Sequence, residues 1–416
     1  MKQGNKNIPL LLLVFYILWG WFFKNTIYSS QLVVYTFIIG FYLFSIVKSF
    51  KIDSNNLLNP WVLFYFYIIL RFVLQGNLEF SCYWFVSLVI ILISTREKIY
   101  GKIPYKLLLY SSLFCVLGEL LQLFAPSWFN VYISSIYLSD DVELWASTEY
   151  GLSGFTYQLA TTAEILVLGE CVLLSRVIND KNKNPLIIVG VSLIIISILL
   201  TGKRMNFAIS ILLVVIALFL RKNAVVNLRK LFKSAFVIAL VFFILGALFI
   251  YNIDYFVDNP YFRRLALSIV EAKSGGEIGT TGRDELWSMA WSLFQGNKLF
   301  GIGPGQFPIY THAETDVHNV YIQTLCELGV VGFVFFITAI VYCLVKTLKV
   351  LAKSENTSLK NPVLLSLLLQ IVYVIEGYSE NVNTNLTGYM IYALAIAILL
   401  DCEKKMNKNG YKKSAI

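Results

Sequence analysis

Two dipeptides place a cation where a helix begins. Lys203-Arg204 follows the turn Thr201-Gly202 and opens an apolar run. Gly282-Arg283 opens the stretch Asp284 to Gln295. A helix start is already partly positive, so a cation there is disfavoured by up to about 1 kcal/mol unless an anion binds in the same place. Unpaired backbone N–H groups beside an arginine fork form a phosphate site. Lys203, Arg204 and Arg283 are therefore candidates to hold a phosphate-bearing substrate. Arg263 and Arg264 lie in the same polar region as Arg283 and join that set. Snorkelling toward lipid headgroups is the competing reading, most of all for Lys203.

The chain has two histidines, His312 and His318. His318 begins a helix beside Asn319, close in sequence to the second arginine. Imidazole titrates near neutral pH, so His318 is the candidate base. Glu380, in the short link before the last apolar run, is a further candidate for contacting a polar substrate. Asn319 is also placed among the substrate contacts. Two histidines without matching carboxylate spacing do not make a metal site, and no cofactor is expected. The six cysteines have neither metal-ligand nor disulfide spacing and read as small buried hydrophobes.

The elements that must position these residues are apolar. The chain is 57% hydrophobic and 14% charged, too little charge to cover a soluble domain of 416 residues. Apolar runs at roughly 8–23, 31–50, 60–75, 80–94, 105–126, 155–177, 185–201, 205–221, 233–252, 329–348, 362–376 and 385–400 have lengths suited to crossing a hydrocarbon core of about 30 Å. Continuous rather than alternating apolarity selects helices over a barrel. The expectation is an all-α, polytopic membrane helix bundle of about twelve transmembrane helices, forming a single transmembrane domain over 1–416. The formal charge of +9 does not point to nucleic acid. Its excess lies in short loops such as Lys181–Lys183 and Arg229-Lys230, which sets both termini on the cytoplasmic side.

On that topology, residues 253–317 form a large extracytoplasmic loop containing short interfacial helices. It holds eight of the chain's 25 glycines. The stretch Asp284 to Gln295 is expected to be a helix lying flat at the membrane surface, with Leu286, Trp287, Ala290, Trp291 and Phe294 on its apolar face. The run Gly301-Ile302-Gly303-Pro304-Gly305 predicts a tight turn. A short helix from His318 is expected to run into the span beginning at Gly329. Arg71, Glu119, Glu164, Glu170 and Glu376 fall within or near spans. Each is either a functional group or a paired structural one.

Three pieces of sequence carry a family resemblance. The first is Thr201-Gly202-Lys203-Arg204. The second is Gly282-Arg283 through Trp287, followed by Leu299-Phe300-Gly301-Ile302-Gly303-Pro304-Gly305-Gln306-Phe307. The third is His318-Asn319 with Tyr321, Glu327, Gly329 and Gly332. In order and spacing they resemble the O-antigen ligase and Wzy-type O-antigen and capsule polymerase superfamily of bacterial membrane glycosyltransferases. The segment Gly151 to Thr156 resembles a further turn of that family.

The resemblance implies a metal-independent glycosyltransferase of the cytoplasmic membrane, with its active site facing outward. Its substrate would be an oligosaccharide linked to undecaprenyl pyrophosphate, amid membrane lipids and with a chain-length regulator as a possible partner. Arg204 and Arg283, with Lys203, would clamp the pyrophosphate. His318, or a carboxylate such as Glu380, would take the acceptor proton. Short cytoplasmic loops favour a polymerase of lipid-linked repeat units over a ligase to lipid A core. A lipid flippase or transporter would also suit many helices, but no repeated halves are evident and the unusual charges cluster outside the bundle.

Overall fold

The computed structural model describes residues 17–23, 26, 60–75, 103–137, 151–156, 158–179, 185–220, 247–248, 250–258, 266–267, 269–270, 282–313, 315–354, 358–380, 382 and 386–413. The main helices are α1 (Pro60–Gln75), α2 (Ile103–Phe124), α3 (Leu159–Asn179), α4 (Pro185–Leu200), α5 (Arg204–Leu220), α6 (Arg283–Gly296), α7 (Val320–Lys353), α8 (Lys360–Glu376) and α9 (Leu386–Lys413). Shorter helices cover Pro126–Tyr132, Ile253–Asp258 and Phe307–Thr311. Among the described residues there is no strand, only an isolated bridge between Thr26 and Tyr137. The all-α reading holds for them. The expected spans at 31–50 and 80–94, most of the one at 233–252, and Arg263 and Arg264 lie outside the described residues.

Two described helices, Tyr105–Phe124 and Val320–Lys353, are long and apolar enough to cross a membrane, and α1, α4 and α5 are shorter apolar helices. On α1, Trp61, Phe64, Tyr65 and Ile68 are buried, while Leu63, Phe66, Leu70, Val73 and Leu74 are exposed. A helix that buries one apolar face and presents another apolar face outward is poorly suited to water and well suited to hydrocarbon.

The chain falls into two compact units. One comprises Met1–Gly20, Ser30–Gly101 and Thr281–Ile416; the other comprises Trp21–Ser29 and Lys102–Thr280. In the second unit α3 is the central element. It packs on α2, α4 and α5, and Ala163, Ile165, Leu166, Val167, Leu168, Cys171 and Val172 along it are fully buried. Close approach of α2 and α3 depends on Gly169, where a Cβ would meet Ser112 at 2.3 Å. The acids Glu119, Glu164 and Glu170 are buried in this unit.

In the first unit α7 packs on α1, α6, α8 and α9. Its core is aromatic: Trp61 stands 5.0 Å from Tyr392, Phe64 5.3 Å from Phe336 and Tyr373 4.1 Å from Tyr392. Gln370 Nε2 donates to Thr347 Oγ1 at 2.7 Å and to Ser366 Oγ at 3.1 Å, so this packing also encloses a hydrogen-bonded polar cluster. The five described cysteines, Cys115, Cys171, Cys326, Cys343 and Cys402, are free and buried, as expected of small hydrophobes.

Candidate functional site

The site begins with a broken helix. Gly329 interrupts α7 at φ 67, ψ −172, so the short helix from Val320 and the long apolar helix beyond it are separate pieces. In an unbroken helix the N–H groups of residues 330 and 331 would bond the carbonyls of 326 and 327. Here all four groups find other partners. Val330 donates to the Lys298 carbonyl at 2.8 Å and Val331 to Leu299 at 3.2 Å. The Cys326 carbonyl accepts from Ile302 at 3.0 Å and the Glu327 carbonyl from Gly303 at 2.9 Å. The Leu328 carbonyl accepts from the Tyr67 hydroxyl at 2.9 Å. The glycine-rich turn therefore repairs the break it lies against.

This close approach dictates the glycines. A Cβ on Gly301 would meet the Glu327 carbonyl carbon at 2.3 Å, and one on Gly329 would meet the Leu299 carbonyl oxygen at 2.3 Å. Both also have positive φ. The Glu327 carboxylate is buried and accepts from the Phe307 N–H at 3.3 Å, holding the far end of the turn. Arg71, the cation expected within a span, has a local structural task. It donates to the Gly301 carbonyl at 3.1 Å and to Gln75 Oε1 at 2.6 Å, and Gln306 donates to the Gln75 carbonyl at 2.7 Å.

Above the turn, Ala290, Ile302, Phe307, Val317 and Cys326 form a small core, joined by Leu286, Trp287, Leu293, Ala313 and Ile322. This corrects the expected face of α6. Leu286, Trp287, Ala290 and Leu293 face protein, while Trp291 is exposed, its ring tilted against Phe294 at 5.2 Å. The reason is local: the loop brings its own apolar partners, so α6 buries the stripe that meets them. An isolated amphipathic segment gives no sign of that partner.

The same core sets His318. The Trp287 indole donates to the Val317 carbonyl at 3.0 Å on one side. On the other, the Val320 N–H donates to the Gly377 carbonyl at 2.8 Å. Between them His318 is held at φ 53, a left-handed conformation rare for non-glycine residues and maintained by its surroundings. His312 also has positive φ but is exposed, ending the helix Phe307–Thr311.

Asn319 is a helix cap. Its side-chain oxygen accepts from the N–H groups of Tyr321 at 3.0 Å and Ile322 at 3.1 Å, and the residue is buried. Serine preserves an N-cap and alanine does not. Asn319→Ser should therefore keep stability and activity, while Asn319→Ala should lose about 1 kcal/mol, read as a lower Tm of the purified protein. Loss of activity in the serine variant at unchanged Tm would assign Asn319 to substrate instead.

Arg283 and His318 converge on Glu380. Arg283 Nη2 lies 3.3 Å from Glu380 Oε1, and His318 Nδ1 lies 3.6 Å from Glu380 Oε2. All three side chains are partly exposed, at 30%, 32% and 25%, so the cluster is open to a ligand. Tyr378, 56% exposed, stands 5.7 Å from Trp287 and adds an exposed aromatic ring beside the cluster. Arg283 begins α6 after Gly282 at φ 79, with Asp284 and Glu285 in the first turn. The cluster offers a guanidinium fork, an imidazole and a carboxylate, which is equipment for binding an anion and moving a proton. Among the described residues there is no group of His, Cys, Asp and Glu suited to a metal ion.

Lys203 and Arg204 belong to the other unit. There Thr201 is buried, its hydroxyl donating to the Ile198 carbonyl at 2.7 Å and accepting from the Lys203 N–H at 3.2 Å. Gly202 at φ 68 turns the chain, and Arg204 is exposed at the start of α5. The segment Gly151 to Thr156 packs on this turn. Leu152 donates to the Leu200 carbonyl at 2.8 Å, and a Cβ on Gly151 would strike the Thr201 carbonyl oxygen at 2.4 Å. Two motifs far apart in sequence thus form one buried corner that presents Arg204.

Sequence reasoning left the shared use of Glu380 unseen, because 97 residues separate it from Arg283. Its signal was an acid in a short interhelical link. No curated protein matches the chain. Residues 189–337, which contain Lys203, Arg204, Arg283 and His318, match the family model described as O-antigen ligase, so the resemblance of the three motifs to the O-antigen ligase and polymerase superfamily holds over that stretch.

Proposed function

We propose that this protein is a glycosyltransferase of the cytoplasmic membrane that polymerises lipid-linked repeat units at the outer face. It moves a growing glycan from undecaprenyl pyrophosphate onto the next lipid-linked repeat. The observation that carries this reading is the convergence of Arg283 and His318 on one carboxylate beside the glycine-rich turn. Around the cluster, a multi-pass bundle with both termini inside would bring the lipid-borne donor alongside it.

The chemistry suits the residues. The acceptor hydroxyl attacks the anomeric carbon, and charge develops on the departing pyrophosphate. Arg283 stabilises that charge. Arg263 and Arg264 supply additional positive charge for the anion. His318 takes the proton from the acceptor hydroxyl. Capsule and O-antigen repeats are both within the substrate class, and a chain-length regulator is the proposed protein partner.

The matched family model is described as O-antigen ligase, and it is equally compatible with a second reading, in which the finished glycan goes to lipid A core as in a ligase. One comparison separates the two. A strain lacking this gene should show a surface glycan collapsed to single repeat units, with the ladder restored by the wild-type gene. Long glycan left on the carrier lipid would instead establish the ligase. An unchanged surface, or repeats trapped inside, would overturn both.

A further inference from the structure

The Glu380 carboxylate is held against His318 by main-chain geometry. Glu380 sits on the turn after α8, where its N–H donates to the Glu376 carbonyl at 2.9 Å and the Gly377 N–H to the Tyr373 carbonyl at 3.0 Å. The Gly377 carbonyl accepts from Val320 at 2.8 Å, immediately beyond His318 and its capping neighbour. The turn and the left-handed histidine are thus one assembly, and a small shift of either is opposed by the backbone bond that joins them.

Within that assembly the imidazole is oriented. Nδ1 is shielded from solvent and has no hydrogen-bond partner within range among the described residues, while Glu380 Oε2 faces it at 3.6 Å. A neutral imidazole carries one N–H, and a carboxylate accepts but cannot donate when ionised. The ring proton therefore belongs on Nδ1, leaving the Nε2 lone pair available, whereas free histidine favours the opposite tautomer. Arg283 on the other carboxylate oxygen fixes the rotation of the carboxylate plane.

We infer that Glu380 is the positioning residue of this site: it selects the Nδ1–H tautomer of His318, so that Nε2 is the base, and it balances the imidazolium that forms. For the reaction, this rests on the proposed glycosyl transfer. The acceptor O–H proton passes to Nε2 as the acceptor oxygen bonds to the anomeric carbon. The bond from that carbon to the pyrophosphate oxygen breaks, and its electron pair leaves with the pyrophosphate. The imidazolium later releases its proton to solvent, and Glu380 stays ionised throughout. A carboxylate that orients an imidazole without itself taking the proton is a known division of labour in acyl transfer.

The test uses the full chain in lipid nanodiscs with ¹⁵N-labelled histidine. His312→Gln leaves His318 as the single imidazole to be observed. At a pH where the ring is neutral, the spectrum should show a protonated Nδ1 and an unprotonated Nε2. Adding Glu380→Ala should shift the population to the Nε2–H form. Glu380→Asp, which keeps a shorter carboxylate, should recover part of the original form and serves if the alanine variant does not fold. An Nε2–H ring in the His312→Gln protein, or a tautomer indifferent to both Glu380 variants, overturns the inference.

A second arm separates this inference from the functional reading. Glu380→Gln can still accept from Nδ1–H but carries no charge, so the tautomer should persist while glycan transfer falls about 100-fold. An undiminished surface glycan ladder in that variant overturns the charge-balancing role. A correct tautomer response in a protein whose deletion leaves surface glycan unchanged upholds the positioning and sinks the transferase.

Discussion

Replacing Arg283 by alanine is expected to abolish the surface glycan ladder while leaving the protein in the membrane at its normal level. The side chain is partly exposed and reaches from the first residue of α6 to Glu380, so its removal opens no cavity in a core. A Cβ on the preceding Gly282 would have nothing within 4 Å, which marks that helix start as uncrowded. The loss should fall on the reaction. Removing a preorganised donor from developing negative charge costs about 100- to 1,000-fold in rate. Arg283→Lys should restore part of the activity, because lysine supplies the charge but not the planar two-pronged fork. The measurement is gel analysis of surface glycan beside an immunoblot of the membrane fraction. A normal ladder in the alanine variant would remove Arg283 from the reaction.

Gly329→Ala should be as severe by a different route. The new methyl would lie 2.3 Å from the Leu299 carbonyl oxygen, on a residue whose φ is 67. Holding alanine in such a conformation costs roughly 1–3 kcal/mol. Relief of the contact separates the turn from the helix break, exposing or orphaning the groups that the turn now satisfies. Each backbone group left buried without a partner costs about 1–3 kcal/mol more. The expected result is loss of transfer together with rapid proteolysis between α6 and α7. Gly296→Ala is the control. It lies at the end of α6 with nothing within 4 Å of its Cβ, so it should be neutral or slightly stabilising. Equal protease resistance of the Gly329 variant and the wild type would contradict the structural account of the turn.

What could be read in advance depended on range. Apolar continuity located α1, α2, α4, α5 and α8 to within a few residues, because helices that bury apolar side chains declare themselves over one window of sequence. The split of α7 was legible too. His318-Asn319 resembled a helix start and Gly329 a new beginning, and both proved to be boundaries. Arg71 was visible as an intramembrane cation, but its long-range partner is a backbone carbonyl 230 residues away, and carbonyls carry no residue identity. Asn319 was grouped with substrate contacts because its side chain suits them. The same oxygen is equally suited to capping, and in the structure it caps α7. The face of α6 was displaced by part of a turn because its partners, Val317 and Phe307, come from chain that looked merely polar and irregular.

The cross-bonded break at Gly329 has a consequence for how this protein could diversify. Gly303 and Glu327 are bonded to each other in that backbone pairing, so the chain between them is a closed ring on a fixed collar. Within the ring, Phe307 is tethered to Glu327 and Val317 to Trp287. Between those tethers the arc of chain carries the short helix Phe307–Thr311, on which Ile309 and Tyr310 are exposed, and is pinned again by Ala313 on the small core and by Asp316, which accepts from Gln323 at 3.3 Å. Doubling the length of such an arc costs only about 0.6 kcal/mol of closure entropy. A longer or differently furnished arc can thus be carried while the collar, Arg283 and His318 keep their places. Variation would then fall on a rim and leave the helices that carry it unchanged.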